Sequence, residues 1–181
     1  MKTYEREPVV IRREIEIFAP PRLVWEWISR VELWSDWHPE VSSSQWLGDP
    51  GPDGRFKLRI NLLGFDAVVT SWREEREFAW AGQSWLTTTR QVFRIDGDFR
   101  STTVVCEQTL DGLGARVMAP LLQRVAGRWS EVLLGALKTR IEGAHERASN
   151  TQRQRSAFPR GMSDRRPSRV FGGVRRRRDR S

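Results

Sequence analysis

Only one stretch of this sequence has the pattern of a long helix, and it comes last. From Val117 onward, Leu121, Leu122, Val125, Trp129, Val132, Leu133, Ala136, Leu137 and Ile141 keep an i, i+3, i+4, i+7 stripe, the pattern of a helix with one buried face. The spacing predicts a helix over residues 119–148, about 45 Å long at 1.5 Å per residue. Pro120 stands at its start or at a kink. Everything upstream must therefore bury its apolar side against this one rod.

The upstream segments are short and mostly strand-like. Val9, Ile11, Ile15 and Ile17 place a strand over residues 9–18, closed by Ala19-Pro20-Pro21. Pro21 suits the first turn of a short helix, where its missing N–H is not needed, and Leu23, Val24, Trp27 and Ile28 continue it. Val31, Leu33, Trp34 and Trp37 give a second short turn, which stops at His38 because the residue before a proline avoids the helical region. Six strand-like stretches follow, near residues 41–47, 56–62, 66–73, 78–80, 86–95 and 101–110. A Gly/Asp/Pro cluster at 48–54, Gly64, Gly82 and Asp96-Gly97-Asp98 separate them. The clearest period-two pattern is Phe56, Leu58, Ile60 and Leu62 alternating with Lys57, Arg59 and Asn61.

Geometry then sets the fold class. Meandering strands with short turns pair antiparallel. Seven strands at about 4.8 Å spacing make a sheet about 30 Å wide, whereas a helix with side chains is about 10–12 Å across. A flat sheet would be left half uncovered, so this one must curl around the rod, as twisted sheets tend to. The expected architecture is α+β: a curved antiparallel sheet of about seven strands gripping one long C-terminal helix, with two short helices after the first strand. Space enclosed between a broad sheet and a slender helix is where small ligands bind.

Charge divides the chain. The net charge of +8 comes from 31 basic and 23 acidic residues, yet residues 151–181 alone hold eleven arginines against Asp164 and Asp179. Residues 1–150 are near neutral, which excludes a nucleic-acid-binding face covering the whole domain. Two units are expected: a ligand-binding domain over 1–150 and a disordered Arg-rich tail over 151–181, too poor in apolar residues to offset its ordering entropy. Arg165-Arg166 and the run at 175–178 are candidates for weak, sequence-blind contact with RNA or an anionic membrane. Lysine occurs only at positions 2, 57 and 138, so a chain-wide arginine bias also accounts for a solvated tail.

Chemical motifs are scarce. Cys106 is the one cysteine, so no internal disulfide forms, and with His38 and His145 it makes no metal-ligand set. Nucleophile elbow, phosphate loop and dinucleotide fingerprint are absent, no apolar run reaches membrane-spanning length, and the N-terminus has no apolar signal segment. A cytoplasmic protein without cofactor or metal is the expectation.

Several segments together resemble the START-like, or SRPBCC, superfamily, which includes the polyketide cyclase/dehydrase and coenzyme-Q-binding groups. They are Ile15-Glu16-Ile17-Phe18-Ala19-Pro20-Pro21 leading to Val24-Trp25, then Trp34-Ser35-Asp36-Trp37-His38-Pro39, then Phe78-Ala79-Trp80, then Thr102-Thr103-Val104 and Leu110-Asp111-Gly112-Leu113. The likeness spans about residues 9–148. It implies the helix-grip fold and an elongated hydrophobic cavity, but no particular reaction.

Nine tryptophans and eight phenylalanines supply the interior. Trp34, Phe56, Leu58, Ile60, Trp80, Leu122, Val125 and Trp129 are the expected cavity lining, read against plain core packing for each of them. His38, between Asp36 and Glu40, is either a proton carrier with a raised pKa or a surface histidine at a helix end, and the second reading is preferred. His145 and Cys106 read as structural, and Asp66 and Glu107 as solvent-facing. The expected function is binding of a small hydrophobic or amphipathic molecule: a lipid, a quinone or a polyketide-like compound. The alternative is a cyclase/dehydrase-type enzyme using the same cavity, with catalytic residues unassigned.

Overall fold

Period-two alternation becomes burial almost residue by residue. The computed structural model describes residues 9–85, 87–112 and 119–157, with side chains in the last segment at 124 and 127–154. Seven strands form one antiparallel sheet: β1 (Val9–Ile17), β2 (Val41–Trp46), β3 (Arg55–Ile60), β4 (Leu63–Arg73), β5 (Glu77–Gln83), β6 (Thr88–Gly97) and β7 (Thr102–Asp111). Their order is β1-β7-β6-β5-β4-β3-β2. In β3, Phe56 and Leu58 are buried while Lys57 and Arg59 are exposed. β7 buries Thr102, Val104, Cys106, Gln108 and Leu110 on one face. The connection between the two edge strands carries α1 (Pro21–Ser29), a 3-10 turn (Val31–Leu33) and α2 (Trp34–Trp37). The long helix α3 (Ala119–Ala157) comes last.

Register shifts between Val41 and Ser43 and between Val69 and Ser71 bend β2 and β4, which adds curvature where a flat sheet could not wrap a helix. The core joins the concave face to Trp129, Leu133, Leu134, Leu137 and Ile141 of α3 and to Val24, Trp25, Ile28, Val31 and Trp34 of the short helices. α3 is also fastened to the β1 edge. Glu142 accepts the Phe18 N–H (2.9 Å), the Lys138 ammonium donates to the Glu16 carbonyl (2.8 Å), and Arg13 pairs with Glu131 at 3.0 Å. Covering an edge strand in this way hides groups that would otherwise recruit another strand.

Three expectations need adjustment. Leu62 does not continue the β3 face: Asn61 takes a left-handed φ of 51° and the chain turns, leaving Leu62 98 % exposed. α3 does not close near residue 148 but runs to Ala157, because residues 151–157 offer Gln, Arg and Ala, good helix formers, with no proline before Pro159. Residues 151–157 of the tail expected to be disordered over 151–181 are thus helical, and residues 158–181, with the arginine runs on them, lie outside the described residues.

At the β6–β7 hairpin, Asp98 Oδ1 accepts the N–H groups of Arg100 (2.7 Å) and Ser101 (3.1 Å), which holds its carboxyl below the usual range. A Cβ on Gly97 would lie 2.6 Å from the Thr102 Cα and against the Ser101 carbonyl, both main-chain atoms. Gly97→Ala is expected to cost about 1–3 kcal/mol by overpacking, read as a lowered denaturation midpoint. Gly64→Ala, whose Cβ would meet nothing within 4 Å, is the control that leaves the midpoint in place.

Candidate functional site

Strand register sorts the concave face into rows. One row runs Phe78, Phe93, Cys106; the next Trp80, Gln91, Gln108, Ile11; the next Ala67, Gly82, Thr89, Leu110, Val9. The first row is aromatic and filled. Trp34 of α2 sets its indole against Phe56, Phe78, Trp80 and Phe93, with centroids 6.0–6.4 Å apart, and donates its N–H to the Ile28 carbonyl (3.0 Å). Toward the β3–β4 turn the wall becomes smaller and polar. Gly82 is needed there because Trp80 lies down over it: a Cβ would come within 2.8 Å of that indole.

The polar rows are partly satisfied. Trp80 Nε1 donates to Gln91 Oε1 (3.1 Å), and Gln91 Nε2 donates to Cys106 Sγ (3.3 Å). Gln108 Nε2 reaches Thr89 Oγ1 at 3.4 Å, while Gln108 Oε1 is buried without a partner. Burial pushes the Cys106 thiol up to about 12, with Glu107 adding to it and the Gln91 bond opposing it. Native protein is therefore expected to resist thiol reagents at pH 8 and to react only in denaturant. Rapid labelling of native protein would contradict the burial.

α2 ends at this same end of the sheet, where the Asn61 N–H donates to the Glu40 carbonyl (2.9 Å). His38, in an extended conformation before Pro39, turns its ring inward. It is 2 % exposed and stacks on Trp129 of α3, with centroids 5.1 Å apart and planes tilted by 32°. Trp37 flanks it at 5.8 Å. The preferred reading of His38 as a surface residue is corrected, and so is the raised pKa. Loss of hydration disfavours the charged ring and lowers its pKa to about 4, only partly offset by the residue's own main-chain carbonyl. His38 Nδ1 accepts the Glu40 N–H at 3.1 Å, so the neutral ring carries its proton on Nε2.

That Nε2 has no partner, and neither do Trp129 Nε1 and Trp37 Nε1. Each buried, unmade hydrogen bond costs about 1–3 kcal/mol. Three other indoles avoid this cost: Trp34 uses the Ile28 carbonyl, Trp46 uses Glu32 Oε2 (3.0 Å) and Trp80 uses Gln91. Three unpaired donors therefore gather where α2 meets α3.

Of the expected lining, Trp34, Phe56, Leu58, Trp80 and Trp129 are buried in the core, and Ile60 packs against it half-buried. The side chains of Leu122 and Val125 lie outside the described residues. Asp66 faces solvent, and Glu107 pairs with Arg94 (3.4 Å) on the outer face. Sequence reading missed Thr89, Gln91 and Gln108, although they share strand parity with Phe93, Ile95, Cys106 and Leu110. Among the described residues no cluster of His, Cys, Asp or Glu could hold a metal ion, and no helix is long and apolar enough to cross a membrane.

Comparison with known proteins agrees with this architecture. The fold superposes on a START superfamily protein from Mycobacterium smegmatis with a TM-score of 0.67 at 21% identity, over 75% of this chain and 98% of that one. It superposes on the Zhui aromatase/cyclase from Streptomyces sp. R1128 with a TM-score of 0.66 at 16% identity, over 74% and 93%. A solution structure from Thermobifida fusca gives 0.61 at 23% identity, over 74% and 93%. No curated protein sequence matches the chain. The profile of one family, described as polyketide cyclase / dehydrase and lipid transport, matches residues 8–142. With its helix-grip sheet, its terminal helix and that match across most of its length, the chain belongs to the polyketide cyclase/dehydrase and lipid transport family.

Proposed function

We propose that the chain binds a small hydrophobic or amphipathic molecule (a lipid, a quinone or a polyketide-like compound) between the concave face of the sheet and α3. The observation that carries this reading is the set of buried, unpaired polar atoms on His38, Trp129, Trp37 and Gln108, in an interior built mostly of rings and aliphatic chains whose buried Gln91 and Thr102 do find partners. A finished core pairs its polar groups, whereas a binding site leaves some for the guest. The family description and the resemblance to START proteins support the same reading.

A second reading is a cyclase/dehydrase-type enzyme, favoured by one specific feature. Among the described residues, His38 is a buried titratable group held neutral near ordinary pH, and its Nε2–H can stabilise negative charge that develops on the oxygen of a bound ketone as it enolises. Cys106, with its thiol pushed up to about 12, is a poor candidate.

Native mass spectrometry of freshly purified chain tests the main reading, with an adduct expected above the 21.1 kDa polypeptide. After removal of bound lipid, a panel of fatty acids, quinones and aromatic polyketones is expected to include at least one that raises the Tm. A ligand at 100 times its Kd adds about 2.7 kcal/mol. A stripped protein that no member of the panel stabilises would overturn the reading.

A further inference from the structure

We propose that His38 Nε2–H and Trp129 Nε1–H form a two-donor site that holds a neutral ketone or quinone oxygen of the bound molecule, so that the interior selects oxygenated ring systems over the corresponding hydrocarbons. The inference rests on the binding reading above and adds to it the chemical group that is recognised.

The argument is one of hydrogen-bond capacity. Trp129 Nε1 can only donate. His38 has its acceptor nitrogen occupied by the Glu40 N–H, so it presents its Nε2 proton. Neither donor meets an acceptor, and both residues are buried. The two rings lie against each other, with centroids 5.1 Å apart and planes tilted by 32°, so one guest that reaches either ring is close to both. His38 is fixed from behind by Pro39 and the end of α2, and Trp129 by α3. A protonated amine or a quaternary ammonium would bring no acceptor. A carboxylate would be stripped of water at a site built from two neutral rings, which carry no cation to pair with it. A ketone or quinone oxygen carries two lone pairs and little hydration to lose, so it matches two neutral donors. Trp37 Nε1, next to the same imidazole, offers a third donor to a second oxygen or a water.

Two matched pairs of probes test this on the full chain stripped of lipid: 9-fluorenone against fluorene, and menadione against 2-methylnaphthalene. Each hydrocarbon is the more hydrophobic member, so a merely greasy interior binds it better. The expected result is a preference of at least about tenfold for the carbonyl member of each pair by fluorescence titration. Trp129→Phe and His38→Phe are each expected to bring the ratio to unity or below while the hydrocarbons still bind. In 15N-labelled wild-type protein, the Trp129 indole N–H resonance is expected to move downfield with fluorenone and not with fluorene. That measurement needs no variant to fold. Equal or better binding of the hydrocarbons, with an unmoved indole proton, would overturn the donor site and leave ligand binding intact. Failure of all four probes to bind would overturn the donor site, and the binding reading falls with it only when the fatty-acid, quinone and polyketone panel fails as well.

Discussion

Trp34→Ala is expected to cost the fold about 3–5 kcal/mol, the range for removing a large buried aromatic side chain. The indole is 2 % exposed and meets four rings from three strands, so its loss opens a void that neighbours on a hydrogen-bonded sheet cannot close. Its N–H leaves the Ile28 carbonyl unpaired as well, adding to the cost. In a domain of this size the Tm should fall by roughly 10 °C or more. Trp85→Ala, at a residue 84 % exposed, is the matched control and should leave the melt unchanged. A Trp34→Ala protein within about 1 kcal/mol of wild type would mean that the aromatic row is loosely packed and collapsible.

Acid should destabilise the protein through His38 before most carboxylates titrate. In the folded state its pKa is lowered from 6.5 to about 4. The unfolded chain therefore takes up a proton below about pH 6.5 that the folded chain refuses. A depressed folded pKa contributes stability that is present above pH 6.5 and lost as pH falls toward 4, where the loss levels off. A shift of this size corresponds to about 3 kcal/mol. Denaturation midpoints measured from pH 7 to pH 4 should slope downward in wild type, and His38→Gln should flatten that slope by close to one proton. The imidazole resonances should also remain those of a neutral ring at pH 5. A His38 that titrates near 6.5 by NMR would show that water reaches it and that the stack on Trp129 opens.

How much of this was legible differs from residue to residue. Alternation marked Phe56 and Leu58 as inward-facing because a strand converts parity into face with no further information. The same rule overran at Leu62, since nothing in an alternating pattern shows that Asn61 will adopt a positive φ and end the strand. Proline grammar placed the end of α2 at His38, yet the local sequence of His38, with Asp36 and Glu40 on either side, is that of an exposed turn. Its burial comes from Trp129, which the fold brings from the far end of the chain. Gln91 and Gln108 could have been found by parity alone, but their pairing and the orphaned Gln108 oxygen depend on cross-strand distances.

The order of patterns along the chain determined the architecture: one stripe long enough for a helix, preceded by strands too many to lie flat against it, leaves a curved sheet as the way to bury both. That is a statement about local periodicity and area, and a single sequence carries both. The identity of the binding groups was decided by tertiary structure. Whether a polar side chain ends up paired, solvated or stranded is set by partners distant in sequence, and only the folded arrangement brings the rings of His38 and Trp129 together and leaves the donor of each without an acceptor.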